Sequence, residues 1–208
     1  MTEAKRIILA RHGPVAVSLR TRIDGHQFAE FLNELQTSGI VSNTSPPLES
    51  SLSAQAAAVL VTSDLFRSMQ SAELLAPGKP AISDSVFREA QVPAAFRSSV
   101  VFRSSTWIVI ARVLWLCRTW PDVESRIAAR ARARDAVRRL EQLAEQYGSV
   151  FLVGHGYFNQ LIARELRGRG WDGPRHPSTR NWGTSTYCQS ATPKKTACHT
   201  AELTSQLR

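Results

Sequence analysis

Three short apolar runs constrain this chain more than anything else in it. Arg6-Ile7-Ile8-Leu9-Ala10, Ala58-Val59-Leu60-Val61-Thr62 and Val150-Phe151-Leu152-Val153 each have the length and β-branched character of a strand buried on both faces. Between them, helical periodicity predicts helices over 28–35, 66–75, 127–147 and 159–166. On the third of these, Val137, Leu140, Ala144 and Tyr147 form the expected buried side, opposite a solvated basic stripe of Arg126, Arg130, Arg134 and Arg138. Strands that alternate with helices predict an α/β fold, a three-layer sandwich with a mostly parallel central sheet. The expected domain spans 1–188, with a polar tail over 189–208. Residues 90–125 break the alternation and carry three of the five tryptophans, so they read as an inserted cap segment.

Composition narrows the setting without choosing a function. A net charge of +9 favours anionic ligands of any kind. The basic helix stripe has no interleaved aromatics to stack on bases, so no nucleic acid partner is expected. The apolar stretch from Trp107 to Cys117 is interrupted by Arg112 and too short to span a bilayer, so no membrane partner is expected either. Three cysteines without a CxxC pair read as reduced thiols, and the expected location is cytoplasmic.

The chemistry lies in the residues just past each apolar run. The first run ends in Arg11-His12-Gly13. The second leads into Ser63-Asp64, with Arg67 one turn into the next helix. The third ends in Gly154-His155-Gly156. In a parallel sheet the carboxyl ends of the strands converge on one edge, where ligands bind. Two histidines and two arginines distant in sequence would then share a pocket, and arginine forks match phosphate oxygens bidentately.

These blocks, together with Phe87-Arg88-Glu89 and the stretch Ser63 to Glu73, resemble the histidine phosphatase superfamily, the phosphoglycerate mutase-like proteins. The resemblance implies catalysis by His12, Arg11, Arg67, His155 and Glu89. His12 would be the nucleophile, Arg11, Arg67, His155 and Gly156 would bind phosphate, and Glu89 would donate the proton to the leaving group from the rim of the pocket. The expected substrate is a small phosphorylated metabolite, with no cofactor and no metal. A mutase-type phosphotransferase and an inactive phospho-ligand-binding module of the same fold are the alternatives. Elementary chemistry agrees with these roles. A nucleophilic imidazole must be neutral, and two neighbouring arginines disfavour its protonated form. Two positions depart from many relatives: Pro14 replaces a Glu after Arg-His-Gly, and Ser18 stands nearest where an Asn contacts phosphate.

Overall fold

A computed structural model describes residues 4–189. Its central sheet has five strands in the order β4 (Ala81–Ser83), β3 (Val59–Thr62), β6 (Ser149–Gly154), β1 (Lys5–Arg11) and β7 (Thr184–Gln189). The first four are parallel, and β7 closes the edge antiparallel to β1. The three apolar runs are the three central strands, paired side by side.

Period-two alternation decides what each face of the sheet buries. Ile7, Leu9, Val61, Val150 and Leu152 point to one side, into a cluster with α5 (Arg126–Tyr147) and α6 (Gly156–Gly168). Ile8, Ala10, Leu60, Phe151 and Val153 point to the other, against α2 (Leu48–Ala56) and α3 (Phe66–Leu75). Helix, sheet and helix form the three expected layers. On α5 the four stripe arginines are exposed and Val137, Leu140 and Ala144 are buried. Tyr147 is the exception to the expected pattern. It is exposed, because it is the last residue before Gly148 (φ 82°) turns the chain into β6, where the helix has run past the sheet.

A third apolar cluster lies apart from the sheet. It joins Phe28, Phe31 and Leu32 of α1 (Phe28–Thr37) to Trp107 and Ala111 of α4 (Ser104–Cys117), with Ile23 from the small ribbon of β2 (Arg22–Ile23) and β5 (Phe102–Arg103). The segment over 90–101 runs without regular structure into β5 and α4. Trp115 leaves this cluster and packs into the main core, so α4 spans both. No helix among the described residues is long and apolar enough to cross a membrane. Of the expected polar tail, residues 190–208 lie outside the described residues.

Candidate active site

Four parallel strands deliver the site from their carboxyl ends. Strand β1 ends in Arg11, and His12 follows it. Beyond β3 the chain enters α3, which carries Arg67 in its first turn. His155 is the residue between β6 and α6. Past β4, a short 3-10 turn over Ser85–Phe87 brings in Arg88 and Glu89. Arg11, His12, Arg67, Glu89 and His155 all line one cavity of about 480 Å³. Gly156 does not line it. It stands against the Arg11 side chain, where a Cβ would lie 3.6 Å from Nε.

The orientation of His12 is set by its own loop. His12 Nδ1 is 2.7 Å from the Gly13 carbonyl. A carbonyl only accepts, so Nδ1 carries the hydrogen and Nε2 keeps the lone pair. The Gly13 amide donates to Ser71 Oγ at 2.9 Å, and the His12 amide donates to the Gly154 carbonyl at 3.1 Å. Trp182 presses on this loop from the far end of the sequence. Its amide donates to the Arg11 carbonyl at 3.0 Å, and a methyl added to Gly13 would collide with its indole ring. Trp182 is itself held with φ at 65°, its carbonyl accepting from Ser50 Oγ at 2.9 Å.

His12 is almost fully buried, and its pKa is lowered to about 3. Burial is the largest cause, Arg67 and Arg11 add to it, and the Gly13 carbonyl opposes them. The arginines expected to keep the imidazole neutral do contribute, but desolvation leads.

His155 is wholly buried, its ring centroid 5.1 Å from that of His12, and burial pushes its pKa well down. Its Nε2 is 2.7 Å from Ser63 Oγ, which already accepts the Leu65 amide at 3.4 Å. Ser68 Oγ lies 3.3 Å from the same nitrogen, and Nδ1 is buried without a partner. Arg11 Nε is likewise buried and unpartnered, while one terminal nitrogen donates to the Thr179 carbonyl. Arg67 donates to the Leu35 carbonyl at the end of α1, at 2.8 Å. Donors held in place with no acceptor are what an incoming oxyanion requires.

Glu89 occupies the cavity wall and also caps a helix. Its Oε1 accepts from the amides of Ala90 and Phe158, each at 2.9 Å, and its Oε2 from Tyr157 at 3.0 Å. The carboxylate therefore sits at the positive N-terminal end of α6. Burial lowers the pKa values of Arg11, Arg67 and Arg112, and the Glu89 charge opposes that effect at each.

Sequence reasoning missed the rest of the basic lining. Arg88 is bound to Asp64 by a two-pronged pair at 2.6 and 2.5 Å, and Arg132 to Glu124 at 2.7 Å on both prongs. Arg112 lies over the rings of Tyr157 and Trp115 and donates to the carbonyls of Ala90 and Gln91. Its signal was the one charge interrupting the apolar run 107–117. Arg132 was hidden between two arginines of the solvated stripe, on another side of the helix. Ser18 stays out of the cavity, where its Oγ accepts the Arg20 amide at 3.3 Å.

The histidine phosphatase superfamily (branch 1) model matches residues 7–199. This chain belongs to that superfamily. Among solved structures it resembles a mycobacterial glucosyl-3-phosphoglycerate phosphatase with a TM-score of 0.54 and 21% identity, over 79% of this chain and 80% of that one. It also resembles a phosphoserine phosphatase of Entamoeba histolytica, with a TM-score of 0.55 and 13% identity, over 89% and 98% of the two chains. A protein from an open reading frame of Mycobacterium tuberculosis has the same TM-score at 16% identity, over 90% and 96%. At such identities the likeness establishes the fold. No curated protein matches the chain.

Proposed function

We propose that this member of the histidine phosphatase superfamily hydrolyses the phosphate monoester of a small metabolite through a phosphohistidine on His12. The observation that carries the reading is the cavity itself. A neutral imidazole with its Nε2 lone pair free shares it with Arg11, Arg67 and His155, three donors that lack a carboxylate partner.

The Nε2 lone pair attacks phosphorus in line, and the bond from phosphorus to the ester oxygen breaks. Arg11, Arg67 and the His155 Nδ1–H take the three non-bridging oxygens as charge builds on them. Glu89 takes up a proton when the phosphate dianion arrives beside it and passes that proton to the departing alcohol. Its Oε2 accepts one amide while Oε1 accepts two, so Oε2 has the lone pair on which that proton sits. In the second half, water attacks the phosphohistidine and gives its proton to the same oxygen, restoring neutral His12 and releasing phosphate. The segment over 90–125 serves as a cap on this pocket.

Incubation with a phosphate ester, followed by acid or base treatment of the denatured protein, tests the reading. The expected adduct is acid-labile and base-stable, as a phosphoramidate is, and maps to His12. An acid-stable adduct, or turnover that survives His12→Ala, would overturn it.

A further inference from the structure

The backbone at Glu89 has no regular structure to hold it. Residues 89–101 form neither helix nor strand, and among the described residues none from 89 to 93 makes a backbone-to-backbone hydrogen bond. Backbone with few such bonds is ordinarily the least stable part of a fold. Two arginines from different helices stand in for the missing ladder. Arg132 of α5 gives one terminal nitrogen to the carbonyls of Val86 and Arg88, at 2.9 and 2.8 Å. Arg112 of α4 gives its two terminal nitrogens to the carbonyls of Ala90 and Gln91, at 2.7 and 3.1 Å. The chain is thus tied down on both sides of Glu89.

The same two arginines brace the groups that hold the carboxylate. Glu89 Oε2 accepts from the amide of Tyr157, and Oε1 from that of Phe158. The Arg112 guanidinium lies over the Tyr157 ring, 4.3 Å from its centre, and the Arg132 guanidinium over the Phe158 ring at 3.9 Å. Each arginine therefore binds one flank of Glu89 together with the ring of one residue whose amide grips its carboxylate. Arg132 has little left to offer a ligand. Four of its five N–H groups serve the Glu124 carboxylate and the two carbonyls.

We infer that Arg112 and Arg132 are positioning residues for the proton transfer: they fix the Glu89 carboxylate at its working distance from the leaving oxygen rather than bind the phosphate. This rests on the proposed phosphatase reading, in which Glu89 is the acid. A proton passes only between heavy atoms within hydrogen-bond reach, so a misplacement of about an ångström costs rate steeply. That loss falls on esters whose leaving alcohol needs a proton. It spares those whose leaving group departs readily as an anion. An arginine that bound phosphate would cost both kinds equally when removed.

The test is the ratio of kcat on an alkyl phosphate to kcat on p-nitrophenyl phosphate, measured on the full chain. Arg112→Met and Arg132→Met each remove a guanidinium fork and keep much of the apolar stem. Either should lower the ratio about tenfold, a part of the roughly hundredfold that loss of the acid itself costs. In a Glu89→Gln background neither should lower it further, because no acid is left to misplace. Arg132→Met also leaves the Glu124 carboxylate without its partner, so Arg112→Met decides the matter if that variant fails to fold. Equal loss on both esters, an unchanged ratio, or a ratio that still falls in the Glu89→Gln background would overturn the inference. In each of those cases a ratio lowered by Glu89→Gln alone would show the acid intact, and His12-dependent turnover of p-nitrophenyl phosphate would show the phosphatase reading intact. A ratio that Glu89→Gln leaves undiminished would overturn the acid and this inference together.

Discussion

All six residues of β6 are buried, whereas α4 buries four of its fourteen and leaves Val109, Val113 and Leu116 open to solvent. The residue just after β6, His155, and Ile108 and Arg112 of α4 line the same cavity, and the two elements obey different constraints. Strand β6 is locked in register between β1 and β3, so the residue after it has one place to be. Helix α4 is held by Trp107, Ala111 and Trp115, and by the ribbon at its start. His12 and His155 follow strands of the first kind, whereas Ile108 and Arg112 reach the cavity from the second. Chemistry that needs sub-ångström placement sits where the backbone has no freedom, and selectivity sits where substitution is tolerated.

That contrast can be broken most severely at the sheet edge. His12→Ala should remove turnover and the covalent adduct together, since no other residue can attack in line. Measurable phosphate release from purified variant would end this division of labour. Next in size, Trp107→Ala should cost roughly 3–5 kcal/mol in denaturant unfolding, as large-to-small changes in a packed cluster do. Its indole is buried in the third cluster and donates to the Ile23 carbonyl. Below the transition, the folded fraction should still label on His12. Loss of labelling there would mean the two regions are one unit.

Glu89→Gln should lose about a hundredfold in kcat on an alkyl phosphate, the scale of a general acid, and much less on p-nitrophenyl phosphate. Equal loss on both esters would reduce Glu89 to a helix cap, a role its three amide contacts already give it. A further effect is on pH-dependent stability. The folded-state pKa of His12 is about 3, below the ordinary 6.5, and His155 shifts the same way. Between those values the unfolded chain binds protons that the folded chain does not. Stability is therefore full above about pH 6.5 and falls as the pH drops towards 3, by at most about 1.4 kcal/mol per pH unit for each histidine. Melting temperature against pH should show this fall, and His12→Asn should make it shallower, His155 keeping its own share. An unchanged slope would mean that the sheet edge is not where acid acts.

The same contrast explains what could be read from the sequence. The central strands declared themselves because both their faces are buried, making continuous apolar runs, and α3 kept its predicted bounds over 66–75. Arg11, His12, Arg67 and His155, which line one cavity, stood out because they come after such strands in short, recognisable blocks, and Glu89 because it belongs to the block Phe87-Arg88-Glu89. Helix α4 was not, because Ile108, Val109, Ile110, Val113, Leu114 and Leu116 leave it no polar face to set a period. Strand β7 was missed for the opposite reason. It lies at the sheet edge and reads Thr-Ser-Thr-Tyr-Cys-Gln, with only Ser185 and Tyr187 buried. Arg112 and Trp182 depend on distant partners, and no local pattern announces those.

Trp182 also has a bearing on time. The loop that aims the twelfth residue is clamped by a side chain some 170 positions later, just before β7 pairs with β1. A chain emerging from synthesis can pair β1, β3 and β6 and pack α2, α3, α5 and α6 before that clamp exists. Contacts spanning so much sequence are the slow ones to form. The sheet can therefore take its shape before the loop that orients His12 is clamped.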